Sequence, residues 1–453
     1  MLLKLPLFTF ALATGTVSAR AQDVSSRSPL DSIAQVAVTR NLGARRSREQ
    51  ERQADAIVRQ AQGLFLPTLA VDTRYSALYG VVNIGDFINP AYAALNQLTG
   101  RSSFPTNVDA TLPLRQETKL RTSLPLFNGT IFANLAAAHS IRVLKGAERS
   151  ALVRRLDAES RIAYLNWARA ARAVEVWDAT LPVLEENARV SQCLSDAGTA
   201  TPDAVLRARA ALADARQQRS EATLAATEAL GALNLLLDQP ADSPVRVLAE
   251  DALPSPPPIT LAEALASSAR REERAVAGAG IDGAHTQGRA ATSAFLPAIA
   301  IAADYGVQGN NYRFDRHHDV ATASVVVQLN LFNGGQDAAR RESAYAASRG
   351  AELQRQEIER QLAFDVRTSY DAAQIAREAL VSADARLAAA RSAFRLVDRR
   401  YTEGAASHLE WSDARSQLTA AELNRLLTRY TLAARAVDLE RAAALRAIQD
   451  TLK

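Results

Sequence analysis

The stretch Leu126-Phe127-Asn128-Gly129 decides the fold, because the same four residues return as Leu331-Phe332-Asn333-Gly334 in the second half of the chain. An earlier stretch, Phe65-Leu66-Pro67, returns in the same way as Phe295-Leu296-Pro297. Two short motifs that recur in the same order, far apart in the chain, indicate an internal duplication rather than chance. The chain is therefore predicted to consist of two copies of one structural unit.

The distance from each Asn-Gly pair to a later glycine repeats as well. Gly198 lies 69 residues after Gly129, and Gly404 lies 70 residues after Gly334. Register kept over such a distance predicts that each copy contains a long, regular element between these glycines. The predicted division is a leader at 1–21, a first repeat at 22–258 and a second repeat at 259–453.

Residues 1–21 have the features of a secretory signal peptide. Lys4 supplies the positive charge, Leu5–Ala13 the apolar segment, and cleavage is expected after Ala19 or Ala21. The alternative is a first transmembrane helix, which needs about 20 apolar residues, and this segment is too short. Export is therefore predicted.

Composition and charge exclude several classes of function. The net charge is only +4 in 453 residues, and basic residues alternate with acidic ones along the predicted helices. This is typical of solvated helix faces and not of a nucleic-acid-binding stripe. Cys193 is the single cysteine, so an internal disulfide and a cysteine-based zinc cluster are excluded.

Each repeat contains two segments in which apolar and polar residues alternate with a period of two, the pattern of a half-buried strand. The predicted strands are 64–79, 118–128, 295–308 and 319–333, joined by turn-rich loops, of which the longer is Gly80–Thr118. Each alternating segment has roughly the 10 residues that a tilted strand needs to cross a bilayer. A soluble sheet is the alternative. The duplication, the flanking helices and the signal peptide favour membrane strands.

A helical hairpin of unusual length follows each Asn-Gly pair. The predicted hairpins are 130–238 and 335–451, and a proline-rich connector, 239–258, links the repeats. In each first helix apolar residues recur at alternating steps of four and three, which is the seam of a left-handed coiled coil. The seam of the second repeat runs Leu362, Val366, Ser369, Ala373, Ala376, Leu380, Ala383, Leu387, Ala390, Phe394, Val397 and Tyr401.

Four strands cannot span a bilayer alone, because the two sheet edges would leave unpaired amides and carbonyls in hydrocarbon. Bacterial barrels need at least about 8 strands. The chain is therefore predicted to close its barrel with further copies of itself, a dimer at minimum.

The signal peptide, the duplicated strand–Phe-Asn-Gly–long-helix unit and the motif Tyr401-x-x-Gly404 together resemble the TolC-like outer-membrane efflux proteins. The resemblance covers essentially the whole mature chain. It implies a homotrimer with a twelve-stranded membrane β-barrel, four strands per protomer, above an α-helical coiled-coil tunnel in the periplasm. It further implies a passive exit duct in the bacterial outer membrane, serving efflux or type I secretion with a periplasmic adaptor and an inner-membrane pump.

The resemblance also assigns gate residues at the hairpin tips. Tyr401 matches the gate tyrosine, and Glu410 and Asp413 match two acids that form carboxylate rings at the closed aperture. In the first repeat the matching acid position is Ala204, with Asp203 one residue earlier, and the family's gate arginine is Ala406 here. The alternative for both acids is ordinary first-turn charges favoured by the helix dipole.

Four further residues are expected to shape the two hairpin turns. Gly198 and Gly404 are predicted to end the long helices in the left-handed conformation, and Thr201 and Ser407 to cap the return helices. On the strands, the polar alternation predicts that Asp72, Arg74, Asp304 and Gln328 line the lumen.

No enzyme, cofactor or metal signature stands out. The chain has no phosphate-binding glycine loop, no serine–histidine–acid set that can be placed, and scattered histidines without ligand spacing. The sequence leaves drugs, metal ions and proteins equally open as the transported substrate. A secreted coiled-coil structural protein or adhesin without channel activity is the alternative from another class.

Overall fold

The computed structural model describes residues 29–77, 79–80, 82–111, 115–199, 201–309 and 318–447, so the predicted signal peptide lies outside it. Nine α-helices and four strands follow one another in the described residues. In chain order they are α1 Pro29–Arg40, α2 Leu42–Gly63, β1 Thr68–Tyr75, α3 Gly85–Thr99, β2 Gln116–Phe127, α4 Gly129–Asp196, α5 Pro202–Leu236, α6 Leu261–Ser267, α7 Glu272–Ser293, β3 Ala298–Gly309, β4 Asp319–Gln328, α8 Gln336–Thr402 and α9 His408–Ala442.

The four strands form one antiparallel sheet in the order β1-β2-β3-β4. The central pair, β2 and β3, joins the two repeats, with Leu120 opposite Tyr305. β1 and β4 are the edge strands, each with one neighbour in the chain. β1 and β4 are shorter than predicted at 64–79 and 319–333, because residues 64–67 close the end of α2 and pairing in β4 stops at Gln328.

The two longest helices, α4 and α8, contain 68 and 67 residues and form the rods of the molecule. At 1.5 Å per residue each spans roughly 100 Å. α4 is continuous through Pro182. In α8 the buried positions are Leu362, Val366, Ala373, Ala376, Ala383 and Leu387, together with Asp337 near the helix start. The coiled-coil seam therefore turns toward the neighbouring helices, and small alanines let them pack closely.

Shorter helices stack in pairs beside these rods, and the two repeats build their junctions differently. In the first repeat, Asn41 ends α1, accepts hydrogen bonds from Gly43 and Ala44 to start α2, and donates to the carbonyl of Leu236 at the end of α5 (3.2 Å). In the second, the guanidinium of Arg271 donates to the carbonyl of Ala442 (3.2 Å). In both repeats, the side chain of the residue before one helix, α2 or α7, donates to a carbonyl left unpaired at the end of another helix, α5 or α9.

The second repeat begins with a broken helical segment and ends its hairpin earlier than predicted. The segment between the connector 239–258 and β3 forms two helices, α6 and α7, separated by a short 3-10 turn at Ser268–Arg270. α9 ends at Ala442, where the sequence predicted helix to residue 451, and residues 448–453 lie outside the described part of the chain.

The predicted loop between β1 and β2 contains α3, which the turn formers Gly85 and Pro90 concealed in the sequence. Asn89 stabilises it by pairing with the returning chain. Its side-chain amide donates to the carbonyl of Val108 (2.9 Å), and its oxygen accepts from the Val108 amide (2.8 Å). Contacts with residues about 20 positions away therefore outweigh the local turn preference. Among the described helices none combines the length and the hydropathy needed to cross a membrane.

Candidate functional site

The predicted site residues lie at the two opposite ends of the rods. One group sits at the tips, where α4 turns into α5 and α8 turns into α9. The other sits on the sheet. The two groups are separated by nearly the whole length of α4 and α8, roughly 100 Å. Any function that combines them must therefore act through a long structure rather than a single pocket.

Both hairpins turn with the same backbone geometry. Gly198 and Gly404 adopt positive φ angles of 72° and 74°, a conformation that side chains disfavour. In the first tip the amide of Thr199 donates to the carbonyl of Leu194 (2.9 Å), and in the second the amide of Ala405 donates to that of Arg400 (2.7 Å). These bonds close each long helix in the glycine-based motif expected from the sequence.

The second tip starts its return helix with a complete capping box. The hydroxyl of Ser407 accepts from the amide of Glu410 (3.2 Å), and the carboxylate of Glu410 accepts from the amide of Ser407 (2.7 Å). This amide and the Ser407 hydroxyl hold the pKa of Glu410 below its usual value. Glu410 is exposed, and so is Asp413, which accepts a hydrogen bond from Gln417 (2.7 Å). Glu410 thus has the helix-start role that the sequence left open, and both acids carry exposed charge.

The first tip lacks this arrangement. Thr201 precedes α5 without capping it through its side chain, and Pro202 occupies the first turn. Asp203 is exposed, and its carboxylate lies 3.4 Å from the guanidinium of Arg207. The Thr201 hydroxyl, with help from Arg207, lowers the pKa of Asp203. Both tips therefore present ionised acids, although only the second uses one to fix its backbone.

Tyr401 contacts two ring side chains of its own hairpin and an apolar cluster shared with the first hairpin. Its ring lies 5.8 Å from that of Trp411, and its hydroxyl lies 3.5 Å from Nδ1 of His408. Trp411 is buried and donates from its indole to Asp398 (2.7 Å). Leu184 of α4 and Ala215 of α5 belong to the same apolar cluster. Tyr401 is therefore placed where the two hairpins meet.

His408 is the residue that the sequence analysis missed. It is half-buried, and its Nε2 atom is buried without a hydrogen-bond partner among the described residues. Burial, reinforced by Arg207 of the first hairpin, lowers the pKa of His408, and Asp203 opposes the shift. Its position directly after the capping serine was the available signal. Only the fold brings it close to Asp203 and Arg207.

On the sheet, all four predicted lumen residues share one face, because residues paired directly across antiparallel strands point to the same side. Asp72, Arg74, Asp304 and Gln328 occupy this face with Arg121, which pairs with Asp72 (2.7 Å) and Asp304 (3.1 Å). Arg74 is bound to Glu117 (2.7 Å). The opposite face carries Leu69, Val71, Tyr75, Leu120, Leu124, Ile299, Ile301, Tyr305, Val325 and Val327.

Comparison with known proteins identifies relatives of this architecture. Residues 265–445 match the family described as outer membrane efflux protein. This is a family of transport proteins, so the prediction that the chain is not an enzyme is confirmed. A comparison with curated protein sequences finds no match.

Solved structures share the fold over almost the whole chain. The chain is similar to CusC, described in connection with transmembrane channel formation (TM-score 0.77, 18% identity, 91% of each chain covered). It is similar to the outer membrane protein VceC of Vibrio cholerae (TM-score 0.75, 19% identity, 91% of this chain and 95% of that one). It is also similar to the outer membrane channel CmeC of Campylobacter jejuni (TM-score 0.75, 17% identity, 97% and 93%). The resemblance to the outer-membrane efflux proteins is confirmed.

Proposed function

We propose that three copies of this chain form a passive exit duct. The premise is that residues 265–445 match the outer membrane efflux protein domain and that the fold is shared with outer-membrane channels. The sheets join into a twelve-stranded barrel in the outer membrane, and the rods continue as a tunnel in the periplasm. Substrates enter from an inner-membrane pump through a periplasmic adaptor, and the hairpin tips close the tunnel at rest.

The observation that carries this proposal is the sheet, with its two dissimilar faces and two open edges. One face is apolar and exposed in the single chain, with Val71 and Tyr75 each 69% exposed. The other is lined with ion pairs. In a bilayer the apolar face meets lipid and the polar face meets water. The edges of β1 and β4 must be paired in hydrocarbon, and further copies of the chain provide partners.

Oligomeric state and location test the duct directly. We expect the protein to fractionate with the outer membrane and to run as a heat-dissociable trimer on mild-detergent gels. Recovery as a soluble monomer would instead support the secreted coiled-coil alternative. For the face assignment, cysteines replace Asp72 and Asp304, or Val71 and Tyr305, in a Cys193→Ser background. A membrane-impermeant thiol reagent should label the first pair much faster, and equal labelling contradicts the assignment.

The tip acids are proposed to form the aperture. Three copies of Glu410 and Asp413 around a narrow opening concentrate negative potential and favour cations. We expect a cation-selective closed channel that divalent cations block from the periplasmic side. The double variant Glu410→Gln with Asp413→Asn removes the charge, yet glutamine still accepts the capping-box hydrogen bond.

Single-channel recording in planar bilayers measures both selectivity and block. Divalent block should be lost in the double variant and retained in Glu357→Gln, which neutralises an exposed acid in the middle of α8. Persistence of the block in the double variant would leave Glu410 and Asp413 as helix-start charges only.

A further inference from the structure

A group of arginines without carboxylate partners lies next to the sheet in the second repeat. Arg289 is one turn from the end of α7, and Arg341 is five residues into α8. Both are therefore within roughly 8 Å of the helix ends that lead to the strands. Arg349 follows two turns further along α8. All three are exposed and form no ion pair among the described residues.

The first repeat does not have this group. Taking Phe65 with Phe295, and Asn128 with Asn333, as equivalent pairs, Arg59 corresponds to Arg289. The positions of Arg341 and Arg349 are occupied by Ala136 and Leu144. Of the other cations at this level, Arg142 is paired with Asp55 (2.6 Å), and Arg59 is the one exposed arginine that forms no ion pair among the described residues. The grouping of three unpaired arginines is therefore specific to the second repeat.

The arginines line a groove made of two adjoining pockets, one between α7 and α8 and one along α8 alone, which also contain apolar and aromatic groups. One pocket of about 410 Å³ is bounded by Arg289, His285, Ser348, Leu296 and Tyr345. An adjoining pocket of about 520 Å³ shares Tyr345 and adds Arg341, Arg349 and the one acid of the groove, Glu342. Cationic groups next to exposed apolar ones match an amphiphilic anion better than a small inorganic one.

We infer that this groove lies on the apolar side of the sheet boundary, from one contact of its own and from the equivalent contacts of the first repeat. The guanidinium of Arg341 lies 5.4 Å over the ring of Phe295. In the first repeat the equivalent Phe65 contacts Phe132 (5.1 Å), which contacts Phe127 (6.3 Å). Phe127 pairs with Ile299 on the apolar face of the sheet. Aromatic residues at such a boundary mark the interface between lipid and water.

We propose that this groove binds the phosphate of an anionic phospholipid in the leaflet facing the periplasm, an assignment that rests on the proposed outer-membrane function. Arg289 and Arg341 hold the phosphate oxygens, for which the guanidinium fork is suited. The acyl chains run past Leu296 and Phe295 toward the apolar face of the sheet. The lipid thereby fixes the junction between barrel and rods on one side of each protomer.

The test uses the purified full-length protein in detergent, with native mass spectrometry and thermal dissociation of the oligomer. Added phosphatidylglycerol should bind and raise the dissociation temperature more than phosphatidylcholine does. Arg289→Gln with Arg341→Gln should weaken phosphatidylglycerol binding by about tenfold or more, as loss of charge-assisted contacts does. Arg367→Gln with Arg386→Gln, exposed arginines farther along α8, should leave it unchanged.

Three outcomes would overturn the assignment. They are equal effects of the two lipids, an unchanged preference in the Arg289/Arg341 variant, or the same stabilisation and competition by inorganic phosphate, which indicates a free-anion site. If the glutamine variant does not assemble, Arg289→Lys with Arg341→Lys keeps the charge and should bind the lipid with reduced affinity, whereas unchanged affinity again contradicts the proposal. A wild-type protein that forms no oligomer contradicts the proposed function itself and is recognised before any lipid is added.

Discussion

The two hairpin tips have the same backbone turn but are stabilised by different side-chain contacts. Each long helix ends at a glycine with a φ angle near 70°, and each return helix begins a few residues later. The second tip then adds the Ser407–Glu410 capping box and the packed rings of Tyr401, His408 and Trp411. The first begins at Thr201 without a side-chain cap. Duplication therefore preserved the shape of the turn, while its internal stabilisation differs between the copies.

This difference suggests unequal roles in opening. The second tip is held by contacts within its own hairpin, and the first meets it through Asp203 and Arg207, the charges that act on His408. We expect the second tip to stay folded as a unit and the contact between hairpins to yield first.

The largest effect is expected from breaking the seam that supports the second tip. Leu387 is 7% exposed and packs against Leu418 and Ala421 of α9. Leu387→Asp buries an unpaired carboxylate, which costs several kcal/mol. Trimer yield and thermal stability should fall sharply. Arg386→Asp, at the exposed neighbouring position, should have little effect. Similar losses of trimer yield and thermal stability in both variants would show that the predicted coiled-coil seam is wrong.

Removing the aromatic contact beside the junction should open the tip while leaving assembly intact. Tyr401→Ala deletes a half-buried ring and its contacts with Trp411 and His408, a loss of about 2 kcal/mol for partial burial. The closed-state conductance should rise in planar bilayers. Phe364→Ala, which removes a ring that is 63% exposed in the middle of α8, is the control. Equal conductance in both variants would show that Tyr401 does not contribute to closing the tips.

The caps themselves provide a smaller, matched test. Ser407→Ala removes both hydroxyl contacts of the capping box and should cost about 1 kcal/mol. Thr201→Ala should cost only about a few tenths of a kcal/mol of stability, because the Thr201 side chain does not cap α5. Hydrogen exchange of the first-turn amides of α9 and α5 reports the two effects separately. Comparable acceleration in both tips would remove the proposed difference between them.

The smallest effect is a pH dependence of the closed tip. Burial lowers the pKa of His408 from 6.5, so the closed tip binds fewer protons than an opened one. The stability of the closed tip should therefore increase with pH and be lost progressively as the pH falls below about 6.5. Hydrogen exchange around residues 401–411 from pH 7.5 to 5.5 measures it. His408→Gln should flatten the profile, and an unchanged profile would assign the dependence to other groups.

The glycines, capping residues and alternating strands could be predicted because each depends on local chemistry. A positive φ angle favours Gly198 and Gly404, and a hydroxyl before a helix favours a cap at Ser407. The absence of a side-chain cap at Thr201 could not be predicted, because the same residue type can direct its hydroxyl elsewhere, here to Asp203. The role of His408 was missed for a related reason. Its burial depends on a partner hairpin about 200 residues away.

The amino-acid sequence by itself determined the duplication, the long coiled-coil rods and the two-faced strands, since periodicity and spacing are properties of the chain alone. The tertiary structure alone decided the pairing of the repeats through β2 and β3, the folding of α3 within a loop rich in turn formers, and the group of unpaired arginines beside the sheet. Each of these depends on residues far apart in sequence. Their contacts become favourable only after folding has brought distant segments of the chain together, and no local sequence pattern predicts that gain in free energy.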